Sequence, residues 1–301
     1  MPYAVSLART FGSAVTLVHI MPPYRESGQT IDALGWEISR QEARGYLERI
    51  EREASQALGY SVAVRLEQGR PADRIVDLAR ELGADVTVIG GHGGQQLRAL
   101  GTTAQQVISS MHGSVLVAHR SCQVSPRRIL VPLDGSPRTE SALPAAARLA
   151  AEHGAELLLV HVVQEPIATP LLHAADGLDL AQRLASRLEA AAKRYLERLQ
   201  RQLALQGTPA QIFVGRHANT HQCLLEISQR ERAELIVLSA HGSACDAARA
   251  FGSVTTYLLA HSAVPLLVLQ DLPEAGAASA GDIESKLAPP PLRAGSAAES
   301  M

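Results

Sequence analysis

Arg128-Ile129-Leu130-Val131-Pro132-Leu133-Asp134-Gly135-Ser136 decides how the rest of the chain is read. Ile129 to Val131 and Leu133 are apolar, and the run stops at Asp134-Gly135-Ser136. That pattern is a buried strand ending in a sharp turn. Helix-forming sequence rich in Ala and Leu follows from Glu140 to His153. Strand, tight polar turn and helix are the opening of a βα unit. The turn leaves the Asp134 carboxylate at the carboxyl end of the strand, where ligands sit in an open α/β sheet.

Working outward, the same unit is written twice. Met1 to Gly12 lies over Leu143 to Gly154, and Val15 to Ile20 lies over Leu157 to Val162. Ala84 to Ile89 matches Ala233 to Leu238, Gly91-His92-Gly93 sits over Ala240-His241-Gly242, and Ser114 to Val117 matches Pro265 to Val268. The matches keep one order, which is a tandem duplication. In the second copy, strands are predicted at Ile129–Leu133, Glu156–Val163, Ala210–Val214, Leu235–Leu238 and Val264–Leu269. Helices are predicted near Glu140–His153, Leu180–Leu205, His221–Glu231 and Val254–Leu259. The longest carries an apolar stripe, Leu180, Leu184, Leu188, Ala192, Tyr195, Leu199 and Leu203, and Gly207 is placed to end it. Strands separated by helices of this length mean a parallel sheet covered on both faces.

The fold class is therefore α/β: two tandem, open, parallel five-stranded sheets, Rossmann-like, with the first copy incomplete. Because Met1 aligns with Leu143, nothing corresponds to Arg128–Ala142, and the first strand with its carboxylate has no counterpart. Either the chain starts downstream of its true start or this half is degenerate. The domains are read as 1–120 and 128–271, joined by a short linker, with a disordered Ala/Gly/Ser/Pro tail at 272–301. The apolar last strands of the two copies are expected to cover each other's edges within one chain.

Composition narrows the function. A chain of 301 residues that is 46% hydrophobic and 19% charged can bury a core in two domains of ordinary size. The formal net charge of -2 gives no electrostatic case for nucleic acid or an anionic membrane. No apolar run reaches the ~18 residues of a membrane span, and the opening residues lack a signal-peptide profile. Cys122, Cys223 and Cys245 form no disulfide framework and no zinc pair. The expected setting is the cytoplasm.

The second motif is Ser239-Ala240-His241-Gly242, nine residues, then Gly252-Ser253-Val254. Small residues let backbone amides approach an anion, and a helix N-terminus supplies free N–H groups. The bland alternative is that the glycines only turn the chain and Ser253 only caps a helix. With strand order 3-2-1-4-5, the first and fourth strands flank the switch point, so Asp134 and this loop share one crevice.

Val-Pro-Leu-Asp-Gly-Ser, then Leu-Val-His-Val, then His-Gly with nine residues to Gly-Ser-Val, resembles the universal stress protein family over both halves, Met1 to Leu269. The resemblance implies an adenine nucleotide alpha hydrolase-like fold, ATP held with or without magnesium and not efficiently hydrolysed, a role in stress survival, and domains or chains paired across the last strand, a homodimer included. It places Pro132, Leu133 and Asp134 by adenine and ribose, Val162 in the adenine pocket, and Ser239, Ala240, His241, Gly242, Gly252, Ser253 and Val254 around the phosphates. Nucleotide-binding members carry Gly-x-x-Gly, nine residues, Gly-Ser/Thr; here the first glycine is Ser239. A Cβ there disfavours positive φ, so the phosphate turn is expected to be altered. In the first copy, Gly90-Gly91-His92-Gly93 and Gly101-Thr102-Thr103 are separated by only seven residues. That half is expected to bind nucleotide poorly or not at all.

His19 and His161 read as core or pocket-wall residues rather than metal ligands, and His92 and His241 as phosphate neighbours. The competing functions are a dimerisation scaffold that binds no nucleotide and a weak nucleotide hydrolase. Neither paired carboxylates nor a Walker lysine supports the hydrolase; Lys193 and Lys286 are remote from the loops.

Overall fold

The computed structural model describes residues 1–23, 33–90, 101–111, 113–118, 125–164, 175–243 and 249–270. Gly91 to Leu100, Cys122, Cys245 and the tail lie outside them. The first half runs α1 (Pro2–Phe11), β1 (Thr16–Met21), α2 (Ala33–Leu58), β2 (Ala63–Gln68), α3 (Pro71–Glu81), β3 (Val86–Gly90), α4 (Thr102–Ser110), β4 (Ser114–Ala118). The second runs β5 (Arg128–Pro132), α5 (Pro137–Glu140), α6 (Leu143–His153), β6 (Glu156–Gln164), α7 (Ala175–Leu205), β7 (Ala210–His217), α8 (Thr220–Arg230), β8 (Leu235–Ser239), α9 (Ser253–His261), β9 (Leu266–Leu269).

The duplication is visible in the backbone. Both α1 and α6 have proline in their first turn and end on a left-handed glycine, Gly12 at φ 64° and Gly154 at φ 61°. Only glycine takes that conformation without steric cost, so each helix stops at the same place.

In the second half the strands lie in the order β9-β8-β5-β6-β7, all parallel, so β5 is central and the switch point falls between β5 and β8. Among the described residues the first half shows no counterpart of that strand, and its strands fall into two sheets. β1 and β2 form a two-stranded parallel sheet of their own, while β3 and β4 join the second half's sheet. The junction is β4 against β9, antiparallel, with Val115 opposite Val268 and Val117 opposite Leu266. The result is one seven-stranded sheet in place of a second separate five-stranded one. Each apolar last strand covers the other's edge.

Alternate side chains of this sheet build two cores, one per face. Leu130, Leu158, Val160, Ile236 and Leu238 pack under α4, α8 and α9 through Val107, Leu224, Ile227 and Leu258. Ile129, Val131, Leu157, Leu159 and Val237 pack under α1, α6 and α7 through Leu7, Leu149, Leu196 and Leu199.

Three expectations need correction. The helix read as Glu140–His153 is two pieces, α5 and α6. Pro144 lacks the N–H that a continuous helix would use there, so the chain breaks before it and restarts. β9 starts at Leu266 rather than Val264, while the Pro265 carbonyl still accepts from Ile236 N–H at 2.9 Å. The stripe on α7 is buried from Ala192 onward, but Leu184 and Leu188 are 51% and 46% exposed. Periodicity marks a face; it cannot say where the sheet beneath it stops. Gly207 follows the end of α7 at φ 76°, as its position predicts.

Candidate functional site

Asp134 follows β5 directly, and its carboxylate is the knot of the crevice. Oδ1 accepts from Ser136 N (2.9 Å), Ser136 Oγ (2.6 Å) and Thr139 Oγ1 (2.9 Å). Oδ2 accepts from the backbone N–H of Ser243 at 2.7 Å. The first three bonds form an Asx-type turn that launches α5, whose N-cap is Ser136. The fourth crosses to the loop after β8 and ties the two walls together. Burial alone would push the carboxyl up. The Ser136 hydroxyl, the Ser243 amide, the Ser136 amide and the Thr139 hydroxyl outweigh it and hold Asp134 down to about 2. It is ionised throughout the physiological range.

This bridge explains Gly242. A Cβ added there would stand 2.6 Å from Asp134 Oδ2, so the carboxylate occupies the space a side chain would need. Gly252 is less constrained: its φ is -68°, and an added Cβ would first meet Ala240 O at 3.4 Å. Its N–H donates to Ala240 O at 2.8 Å, closing the loop onto the start of α9. No side chain caps α9, whereas Asn219 caps α8 and Ser136 caps α5. The first N–H groups of α9, from Ser253 and Val254, therefore lie beyond the reach of a cap, as an anion site requires.

Ser239 behaves differently from its expectation. Among the described residues the one non-glycine residue with positive φ is Arg232, so position 239 needs no glycine. Ser239 is buried, and its Oγ donates to His241 O at 2.6 Å while its carbonyl accepts from Thr255 Oγ1 at 3.1 Å. The hydroxyl staples the turn. His241 is buried too, with Nε2 bonded to Arg249 O at 2.9 Å, so its ring holds the returning loop. Ala240 is fully buried behind it.

Of the remaining residues, Pro132 ends β5, and Leu133 is buried with its N–H bonded to Val160 O at 2.8 Å. Val162 lies two residues beyond the Pro132–Val160 pair, past the end of β5, and packs against the core under α8. Asp134 thus meets Gly242 and Ser243 across the crevice, and Gly252 closes back onto Ala240; Pro132 and Leu133 precede Asp134, and Ser253 and Val254 open α9 after Gly252. In the first half, Gly90 ends β3 and Gly101 starts α4, and among the described residues no carboxylate stands where Asp134 does.

Sequence reasoning placed His161 in the core or pocket wall but missed its partners. His161 and Tyr195 meet edge to face at 6.1 Å, Arg198 lies 5.4 Å from the Tyr195 ring, and Arg198 bonds Glu140 at 3.1 Å. The first half repeats the arrangement: His19 is 6.3 Å from Tyr46, with Arg49 5.4 Å from that ring. The signal was available, because Tyr-Leu-Glu-Arg occurs at both 46–49 and 195–198. His161 Nδ1 and Tyr195 Oη are buried without a well-formed hydrogen bond among the described residues. Burial lowers the His161 pKa, opposed by Asp134 and the Leu133 backbone, and burial with Glu140 beside it raises that of Tyr195.

An open parallel sheet with two loops tied across its switch point defines a doubly wound α/β protein with a ligand crevice. The sequence pattern of the universal stress protein family matches residues 2–119 and again 126–270, and the chain belongs to that family in tandem form. Universal stress protein Rv2005c of Mycobacterium tuberculosis is 27% identical over 221 residues, covering 69% of this chain and 68% of that protein. Mb2028c of Mycobacterium bovis matches to the same extent. Among solved structures, a universal stress protein from Archaeoglobus fulgidus shares the fold at a TM-score of 0.64 and 18% identity, covering 90% of this chain and 92% of its own. A Pseudomonas aeruginosa protein of unknown function, PA1789, aligns at 0.59 and 14% identity over 94% of this chain and 88% of its own. Among the described residues no helix is long and apolar enough to cross a membrane, and no three metal-ligating side chains cluster.

Proposed function

We propose that the chain is an ATP-binding regulatory module of the stress response, acting in the cytoplasm, with one nucleotide held per chain in the second half. The observation that carries this reading is the tied crevice. Asp134 reaches across to Ser243, Gly242 leaves room for that contact, and the uncapped N–H groups of α9 open beside it. The residues fit the group. Asp134 Oδ2 accepts one bond and keeps a lone pair for a ribose hydroxyl. His161 Nδ1 and Tyr195 Oη are buried without a well-formed bond, beside the Leu133 backbone and the Glu140 carboxylate, and a bound base or sugar, or water, can complete their bonding. The α9 N-terminus suits phosphate. The reading is of a binding module rather than an enzyme, since Asp134 is committed to four hydrogen bonds and cannot serve as a general base near neutral pH.

Calorimetric titration of ATP into the full chain, with and without magnesium, tests it. The expected stoichiometry is one, and Gly252→Val abolishes binding by filling the space in front of α9 while the circular dichroism spectrum is retained. A stoichiometry of two, or unchanged affinity in Gly252→Val, puts the site elsewhere. If Asp134 acts through magnesium, the loss in Asp134→Ala disappears when the metal is removed. A chain that folds but never binds nucleotide is a scaffold.

A further inference from the structure

At the far edge of the seven-stranded sheet β7 pairs only with β6, and α7 packs over both strands. Near the carboxyl end of β7 lies a cleft of about 500 Å³, lined among the described residues by Gln182, Arg183, Ser186 and Arg187 of α7 and Arg216 of β7. Gln182 and Ser186 are four apart, as are Arg183 and Arg187, so the four share one side of the helix. All five side chains are exposed, all five carry hydrogen-bond donors, and three are guanidinium groups. None is apolar or acidic, the reverse of an ordinary ligand pocket, whose walls are mostly apolar. The chain has a formal net charge of -2, so this concentration of cations is local. Asp179 to Leu188 holds one acidic and two basic residues, and Arg216 adds a third cation. Like charges around one cleft repel, and a bound anion relieves that repulsion.

The internal repeat shows that the fold does not require these cations. The repeated Tyr-Leu-Glu-Arg aligns Tyr46 with Tyr195, which sets Leu34 over Arg183 and Ile38 over Arg187. Both of those apolar residues are exposed, so packing does not select them. Arg216 stands opposite Val163 in the sheet, and the matching residue of the first half, opposite Met21, is Gln68. The same helix and strand therefore form in the first half with no cation at any of the three places.

We propose that this cleft binds a small polycarboxylate, with one planar carboxylate set against each guanidinium fork. A guanidinium presents parallel N–H groups in one plane, which match the two oxygens of a carboxylate. The Ser186 hydroxyl and the Gln182 amide add neutral donors. The cleft lies on the flank of α7, where backbone N–H groups are spent inside the helix, so it lacks the open amides that make a helix start suit phosphate. Its volume is that of a small-molecule site. Arg187 precedes Tyr195 by about two turns of α7, ~12 Å along the axis, and β6 separates Arg216 from β5. The site is therefore distinct from the nucleotide crevice and independent of what that crevice binds.

Calorimetric titration of sodium citrate into the full chain, in metal-free buffer, tests the assignment. One saturable site is expected, weakened at least about tenfold in Arg183→Gln/Arg187→Gln and several-fold in Arg216→Gln. Arg183→Lys/Arg187→Lys keeps the charge but loses the forks, and is expected to weaken binding as well. Arg201→Gln removes an exposed charge farther along α7 and is expected to change nothing. ATP affinity is expected to be the same in every variant. Absence of saturable citrate binding overturns the proposal, and so does an equal loss in Arg201→Gln, which would make the effect one of diffuse charge. Tighter binding of tripolyphosphate than of citrate, lost in the same arginine variants, overturns the carboxylate assignment. A parallel loss of ATP affinity in Arg183→Gln/Arg187→Gln overturns the separation from the crevice.

Discussion

The two halves carry the same motif order and much the same helices, yet they differ in what their strands are worth. In the second half β8 is buried throughout and β6 is buried from Leu157 to Val160, because β5 lies between them. In the first half the matching strands are partly open and belong to two different sheets. One central strand therefore does two things. It completes the backbone pairing of its neighbours, and it delivers the carboxylate that ties the crevice shut. In the second half, then, the candidate site and the core share an origin in a single element.

The largest expected effect breaks that comparison directly. Val160→Asp buries an unpaired charge in a fully enclosed position and should cost about 4 kcal/mol or more. Val18→Asp, at the equivalent site, should cost under about 1 kcal/mol. Equal losses in urea unfolding would mean the two halves are built alike after all.

Next comes the tie across the crevice. Gly242→Ala forces a Cβ against Asp134 Oδ2, an atom held by its own bond to Ser243. Breaking that contact should destabilise the second half by about 1–3 kcal/mol and reduce ATP affinity at least about tenfold. Gly252→Ala meets only contact at 3.4 Å and should leave stability within about 1 kcal/mol of wild type. Chemical denaturation of both variants, followed by nucleotide titration, separates a glycine needed by the protein from one needed by the ligand.

A smaller effect lies in acid. The folded pKa of Asp134 is depressed to about 2 from 3.8, so its contribution is present above the unfolded value and lost as pH falls through the folded one. The carboxylate is half exposed, and with solvent screening the contribution is about 1 kcal/mol. Between about pH 4 and pH 2 the wild type should therefore lose about that much more stability than Asp134→Asn. Among the described residues of the first half no carboxylate takes that place, and acid melts followed by hydrogen exchange should show the extra loss in the second half alone.

The smallest concerns Ser239. Removing its hydroxyl takes away the buried bond to the His241 carbonyl, and Ser239→Ala should cost about 1 kcal/mol. Ser239→Gly restores the residue that Gly90 supplies in the first half, but it should destabilise as well and gain no nucleotide affinity. A gain in affinity would show that the turn does need glycine.

Much of the fold was legible because periodicity and repetition report burial. Ile129 to Val131 and their matches marked the strands, and Gly12 over Gly154 marked two equivalent helix ends. The pairing of β4 with β9 followed from two apolar edges needing cover. The crevice was legible as an address, from Asp134 and the loop after β8, but its wiring was not. Ser136 and Thr139 are close enough in sequence to have been paired with Asp134, and the Asp-Gly-Ser turn hinted at it. Ser243 is 109 positions away, and no local pattern announces that bond. His161 was read as a pocket-wall residue, but its partners Tyr195 and Arg198 were hidden for the same reason, although the repeated Tyr-Leu-Glu-Arg would have exposed them.

From the sequence came the α/β class, the duplication and the family, since each depends on residue spacing and local propensity; the strand order around β5 was a supposition that its pairing with β6 and β8 bears out. Tertiary structure alone decided how the first half distributes its strands, why Gly242 rather than Gly252 is sterically required, and how far Asp134 is committed before any ligand arrives. Those outcomes depend on which atoms meet across the sheet, and chain neighbours carry no record of that.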